Sequence, residues 1–274
     1  MPIVTIFAQS NILIMKVSVI GAGNMGGAVA RGLVNSGKVP AEDITLTAGH
    51  KESLESYAPQ GFVLTTDNAS AVSGADVVMI AVKPAAVFAV VDEIAASLAD
   101  GSVVVCIAAG IDPDEFIVHL DAAGKAAVDL VYVIPNTAVE NGSGVSFVTP
   151  VRDNHNSAGK VAELFGAMGL VKVVDMEGLV AGMVLSSCGI AYAMKYIQSC
   201  IEVGCSLGFS AEEARKIVIS TVGGAAGLLG YRDSSPETEI RRVATPGGHT
   251  EKGLNRMDAE GFTEIIKAAM LDSE

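Results

Sequence analysis

Residues 16–37 read KVSVIGAGNMGGAVARGLVNSG, and this segment restricts the fold more tightly than any other in the chain. A short β-branched run from Lys16 leads into a glycine turn, and an alanine-rich stretch with helical composition follows until Gly37 closes it. A strand feeding through such a turn directly into a helix is the opening half of a parallel βαβ unit. Each glycine of G-x-G-x-x-G serves a separate purpose. Gly21 permits the tight turn, Gly23 lets backbone approach a pyrophosphate, and Gly26 lets the helix lie close to the sheet. The helix N-terminus adds free N–H groups and partial positive charge. Gly21, Ala22, Gly23, Asn24, Met25 and Gly26 are therefore the candidate dinucleotide-binding residues.

The alternation continues downstream. Strands are expected at residues 43–47, 62–65, 76–82, 102–108 and 128–134, with a helix at 51–57. Continuous apolar strands separated by helices imply a mostly parallel sheet covered on both faces, a Rossmann-type α/β fold. After about residue 175 strand signals stop, and residues 177–207, 211–230 and 250–270 read as long helices rich in glycine and alanine. The organisation expected is a dinucleotide-binding domain over 15–175 and a C-terminal all-helical dimerisation and substrate domain over 176–274.

Charge and cysteine usage narrow the function. A net charge of −13 disfavours nucleic acid, since no basic stripe exists to displace counterions from a phosphate backbone. Cys106, Cys188, Cys200 and Cys205 lack paired CxxC spacing and lie in apolar stretches, so buried reduced thiols in a cytoplasmic protein are expected, with no metal site. Residues 1–14 have neither the basic start of a signal peptide nor an apolar run long enough to span a membrane, and Met15 is expected as the native start.

Cofactor choice is read at the tip of the second strand. NAD-binding folds commonly place Asp or Glu there, about 20 residues beyond the turn, to bond the ribose 2′-hydroxyl. Here the tip reads Thr47-Ala48-Gly49-His50-Lys51, with no carboxylate to repel a 2′-phosphate and with Lys51 to attract one. NADP(H) is preferred over NAD(H), the plainer role for Lys51 being a solvated helix start.

Further motifs carry a family resemblance along nearly the whole chain from Met15. Ala81-Val82-Lys83-Pro84, Ala108-Ala109-Gly110-Ile111, Ile134-Pro135-Asn136-Thr137 and Thr245-Pro246-Gly247-Gly248-His249-Thr250 stand in order, and the set resembles pyrroline-5-carboxylate reductases, whose motifs are AVKP, AAG, MPNTP and SPGGTT. The resemblance implies that the first three motifs and Asn68 border the cofactor. It also implies that Gly247, Gly248, His249 and Thr250 bind a cyclic imino acid, with Thr250 offering a hydroxyl to the ring nitrogen. Independently, Pro246-Gly247-Gly248 is a turn opening a helix, whose free N–H groups suit a carboxylate. Lys83 is a candidate for orienting the site, although a solvated lysine ending a strand is the plainer reading. Asp233 lies where the family often has an active-site glutamate, and a pairing with Lys83 is expected from that position.

The chemistry implied needs few acids and bases. A cyclic imine near neutral pH carries its own proton, so the protein has chiefly to hold the nicotinamide against the imine carbon, and positioning of this kind is worth about 7 to 11 kcal/mol. Departures from the family pattern weaken the exact substrate: SGSGPAYVF appears as Ser186-Ser187-Cys188-Gly189-Ile190-Ala191-Tyr192-Ala193-Met194, His249 replaces a threonine, Tyr132 an arginine and Ala138 a proline. Two alternatives remain open. A β-hydroxyacid dehydrogenase would need an acid/base lysine early in the long helix, where Gly182 stands instead and Lys195 is the nearest lysine. A dinucleotide-binding regulator would keep the fold without turnover. The helices of the second domain are apolar over most of their faces, which requires a partner surface; the resemblance implies a homodimer, with a decamer as the larger alternative.

Overall fold

The computed structural model describes residues 15–273; residues 1–14, on which the leader and start-site expectations fall, and residue 274 lie outside the described residues. Within them the chain forms two compact units, the first ending at Ser187 and the second beginning at Cys188. The first is built on one eight-stranded sheet: β1 (Val17–Ile20), β2 (Ile44–Thr47), β3 (Val63–Thr65), β4 (Val77–Ile80), β5 (Val103–Cys106), β6 (Asp129–Pro135), β7 (Gly144–Arg152) and β8 (Gly169–Val173). The order is β3-β2-β1-β4-β5-β6-β7-β8, and every neighbouring pair is parallel except β6 with β7. The helices of this unit are α1 (Asn24–Asn35), α2 (Asn68–Val72), α3 (Val87–Ile94), α4 (Pro113–Ala122), α5 (Ser157–Gly166) and α6 (Met176–Gly182).

Strands β1, β4, β5 and β6 are buried along their length, as apolar strands of a sheet covered on both faces must be. Alternate residues of β4 feed two separate cores: Val77 and Met79 join Leu33, Leu46 and Phe165 on one face, while Val78 and Ile80 join Val91, Phe116 and Leu130 on the other. Chain order reverses between β1 and β4, and the crevice outside the carboxyl ends of strands at such a switch point is where open α/β sheets bind ligands.

Three differences from the sequence expectations have local causes. The helix expected at 51–57 is a 3-10 helix, Lys51–Gln60; its two buried side chains, Leu54 and Tyr57, are three residues apart, the repeat of that helix, and Pro59 removes a donor. Strand β7 lies outside the expected set because Pro150 interrupts its pattern; the chain accommodates Pro150 opposite Val131, where the β6–β7 register shifts. Strand β8 also lies outside the expected set; although its residues are apolar, Leu170 and Val173 are exposed, as befits an edge strand. At the foot of β6, fully buried Asp129 accepts hydrogen bonds from Asn154 N (2.8 Å), His155 N (3.1 Å) and Ser157 Oγ (2.6 Å), tying the turn between β7 and α5. Burial pushes the Asp129 carboxyl upward, but the donors outweigh it and hold the group below its ordinary value.

The second unit contains α7 (Gly189–Ser206), α8 (Ala211–Arg232), α9 (Pro236–Val243), α10 (His249–Ala259) and α11 (Phe262–Leu271). Ser210 caps α8 through a capping box with Glu213, and Ser235 caps α9 ahead of Pro236. The single helix expected at 250–270 is two, because Gly261 takes φ +73° and ends α10. The helix expected at 177–207 is continuous but widens into a π turn at Met183–Cys188. No residue of α7 is buried and α8 buries only Ala214, leaving Met194, Val203, Ile217 and Ile219 exposed. The cysteine expectation is corrected accordingly: Cys106 is buried and its thiol pushed up to about 12 by burial, Cys188 and Cys200 are half-buried, and Cys205 is exposed.

Candidate active site

The glycine turn is fixed from three sides. Gly21 takes φ +107°, and the N–H groups of Gly21 and Ala22 both donate to the Thr47 carbonyl at the tip of β2 (3.2 and 2.7 Å). A Cβ on Gly26 would lie 2.1 Å from the Gly21 carbonyl oxygen, so only glycine lets α1 pack this close to β1. The first helical bond of α1 runs from Gly27 N to Gly23 O, which leaves the N–H groups of Gly23, Asn24, Met25 and Gly26 without partners among the described residues. A Cβ built on Gly23 meets nothing within 4 Å, so the surface presented by those donors is open. No acidic residue stands in the first turn of α1 to compete with an anion. An open cradle of free donors with no competing carboxylate fits a pyrophosphate.

The other residues expected at the cofactor follow the neighbouring strands. Ala81, Val82, Lys83 and Pro84 continue β4 beside β1, with Ala81 N donating to Ile20 O (2.8 Å). The Lys83 side chain is exposed and makes no hydrogen bond or ion pair among the described residues, while its carbonyl accepts from Ala86 N (2.9 Å). Ala108 is buried at the end of β5, and Ala109 and Gly110 are exposed beyond it. Asn68 opens α2, its Oδ1 accepting from Thr47 Oγ1 (2.7 Å) and its Nδ2 donating to Glu93 Oε2 (3.0 Å). Asn136, at the end of β6, is buried and engaged with protein: Oδ1 accepts from Val145 N (3.2 Å) and Nδ2 donates to the Ser186 carbonyl (3.4 Å). That carbonyl belongs to the π turn, where Ser187 Oγ also donates to Pro135 O (2.9 Å). Ser186 and Ser187 thus meet the motif at 134–137, and the π turn is where the helix departs from regular geometry to make the contact.

Beside the tip of β2, a cavity of about 280 Å3 is lined by Lys51, Leu54, Glu55, Ala58, Leu64, Thr65 and Thr66. Lys51 and the carboxylate of Glu55 thus both stand at the edge of this open recess. Sequence reading did not single out Tyr57 or Glu93, whose contacts with Ala22 and Asn68 are distant in sequence and encoded by no motif. Tyr132, expected near the substrate pocket or dimer contact, is a buried residue of β6 packed edge-on against Phe116.

In the helical unit Gly247 takes φ +73° and Gly248 caps α10. The expected convergence of free donors is corrected in part. Gly247 N already donates to Glu251 Oε2 (2.7 Å) and Gly248 N to Thr245 O (2.9 Å), because a glutamate at the third helical position reaches back over the turn. The N–H groups of His249, Thr250 and Glu251 remain unpartnered among the described residues, and the side chains of His249 and Thr250 are exposed. Asp233 ends α8 at φ +47°, exposed and without an ion pair among the described residues; its neighbours Arg232 and Arg242 both pair with Glu239, to which Ser234 Oγ donates (2.5 Å). No group of three or more metal-ligating side chains occurs among the described residues.

Comparison with known proteins covers both halves. Residues 177–274 match the family model described as pyrroline-5-carboxylate reductase dimerisation, and residues 16–110 match NADP oxidoreductase, coenzyme F420-dependent. The pyrroline-5-carboxylate reductase of Vibrio alginolyticus is 32% identical, with 93% of each chain aligned. Pyrroline-5-carboxylate reductase 1 of Dictyostelium discoideum is 31% identical over 94% of this chain, which spans only 48% of that longer protein. Among solved structures, the pyrroline carboxylate reductase of Plasmodium falciparum with NADP bound superposes with a TM-score of 0.84 at 22% identity, covering 96% of this chain and 97% of that one.

Proposed function

The chain belongs to the pyrroline-5-carboxylate reductase family, and from that premise we propose that it reduces 1-pyrroline-5-carboxylate to L-proline with NADP(H), a step of proline biosynthesis. Alignment at 32% identity through both halves, rather than over the nucleotide-binding half alone, is the observation that carries this reading. When bound, NADP(H) supplies the hydride. The open donors of Gly23 to Gly26 hold its pyrophosphate, and Lys51 attracts its 2′-phosphate beside the open recess. Asn68, Ala81 to Pro84, Ala108 to Gly110 and Asn136 shape the walls at the strand ends. Thr250 and the N–H groups at the start of α10 receive the imino acid, with Gly247 and Gly248 admitting it close to backbone. Lys83 and Asp233, both exposed and unpaired among the described residues, remain free to orient the ligands. Preference for NADP(H) over NAD(H) rests on Lys51 and on the absence of a carboxylate at the tip of β2.

The dehydrogenase alternative loses its acid/base residue on steric grounds. A Cβ at Gly182 would lie 2.4 Å from Cγ of Phe147, so α6 has no room for a lysine there. The boundary proposed for the functional domains, 175/176, falls where α6 begins, although α6 itself packs on the sheet of the first unit. The helix Met176–Ser206 is long and apolar enough to cross a membrane, but Glu177, Lys195 and Glu202 punctuate it and the dimerisation model covers it. Its exposed apolar side chains are read as the interface of a homodimer, with a decamer as the larger alternative, in a cytoplasmic enzyme.

Oxidation of NADPH by synthetic pyrroline-5-carboxylate tests the reading. Turnover supports the reductase; turnover of hydroxy acids alone, or cofactor binding without turnover, overturns it. Light scattering at micromolar concentration is expected to show at least a dimer, and a monomer would refute the assembly.

A further inference from the structure

We infer that Tyr57 is a positioning residue for the nucleotide-binding turn, setting the direction of the Gly23 N–H through the carbonyl of Ala22. The inference rests on the dinucleotide reading of that turn and extends it to a residue on a different element. Tyr57 is buried, 5% exposed, in the 3-10 helix Lys51–Gln60, and its hydroxyl donates to Ala22 O (3.2 Å). Ala22 C=O and Gly23 N–H belong to one planar trans peptide, in which the two groups point in opposite directions. Fixing the carbonyl on Tyr57 therefore aims the Gly23 N–H away from Tyr57. That N–H has no partner among the described residues, and a Cβ at Gly23 would meet nothing within 4 Å.

The phenol is itself held. A Cβ on Gly27 would stand 2.0 Å from the Tyr57 hydroxyl, so the ring tip lies directly on α1 at a residue that has no side chain. Phe62 packs edge-on against the ring (6.2 Å between centroids), and the Arg31 guanidinium lies 5.4 Å from its centroid. Arg31 in turn is gripped by both oxygens of Glu140 (2.8 and 3.0 Å), and the Glu140 carbonyl accepts from Asn35 Nδ2 (2.9 Å). Glu140 sits in the turn after β6, five residues from the end of that strand at Pro135, so this chain of contacts connects the turn bearing Asn136 to the pyrophosphate cradle. Without the phenol hydroxyl the Ala22 carbonyl loses its anchor, and the Gly23 donor is aimed less sharply by the flanking bonds from Ala22 N and Gly27 N alone.

The test uses Tyr57→Phe, which keeps the ring and removes only the hydroxyl. Fluorescence titration is expected to show NADPH binding weakened about three- to tenfold, the size of one net hydrogen bond. Adenosine 2′-monophosphate, which lacks the pyrophosphate, should bind as tightly as to the parent protein, and KM for NADPH should rise while kcat changes less than about twofold. Equal weakening of both nucleotides would indicate general loosening and overturn the inference, as would unchanged NADPH affinity. Should Tyr57→Phe melt far below the parent, Arg31→Lys, which loses the bidentate grip but keeps the charge, is expected to give the same selective loss in smaller measure; no selectivity there refutes the inference. Parent protein that binds no NADPH removes the dinucleotide reading itself, an outcome distinct from a parent and variant that bind it equally.

Discussion

Replacement of Gly182 by alanine tests how the long helix is seated on the sheet. The added methyl would stand 2.4 Å from Cγ and 2.5 Å from Cδ1 and Cδ2 of Phe147. Ordinary carbon–carbon contact begins near 3.5 Å, so ring or helix must give by roughly 1.1 Å. The helix cannot slide freely, because Ser187 and Ser186 are bonded to Pro135 and Asn136 one turn further on. Overpacking of a well-filled site costs about 1–3 kcal/mol, and with both partners anchored the upper half of that range is expected. For a unit of this size such a loss lowers the melting temperature by about 4–12 °C in scanning calorimetry. Phe147→Leu shortens the obstructing ring, so the double variant should be less destabilised than the sum of the singles by about 1 kcal/mol or more. Strict additivity would refute the steric argument.

Three further outcomes are expected. Asp129 is held below its ordinary value in the folded state, so its contribution to stability is present above the unfolded value and is lost as pH falls through the depressed one; Asp129→Asn should cost about 2–3 kcal/mol at neutral pH and flatten the acid limb of a melting-temperature profile. Lys51→Glu should weaken NADPH about tenfold or more in equilibrium titration and leave NADH within about twofold; equal effects on both would remove the 2′-phosphate role. Glu251→Gln removes a negative charge already bonded to Gly247 N, so KM for the imino acid should fall about two- to fivefold, and a rise would show that Glu251 assists the substrate.

The strands up to β6 and the helix after the glycine turn were legible because each signal is local: β-branched runs, a glycine turn and an alanine-rich stretch lie within a few residues of one another. Gly21 and Gly26 are explained by a φ of +107° and a 2.1 Å approach, both constraints the motif already encodes. Strand β7 escaped detection because Pro150 is acceptable only beside a register shift with β6, about 20 residues earlier in the chain, a compensation invisible from its own segment. The same holds for the free cysteines, since whether Cys200 or Cys205 is covered depends on surfaces the chain does not cover by itself.

Sequence by itself determined the dinucleotide turn, the missing carboxylate at the tip of β2 and the family, since these are properties of residue type at fixed spacing. Only the tertiary structure decided that Asn136 spends its amide on Val145 and Ser186, that Gly247 already holds the carboxylate of Glu251, and that Tyr57 rests on Gly27 to grip Ala22. Each of these depends on which hydrogen-bonding groups meet in space. Backbone donors and acceptors occur at nearly every position, so composition cannot say which of them the fold leaves open.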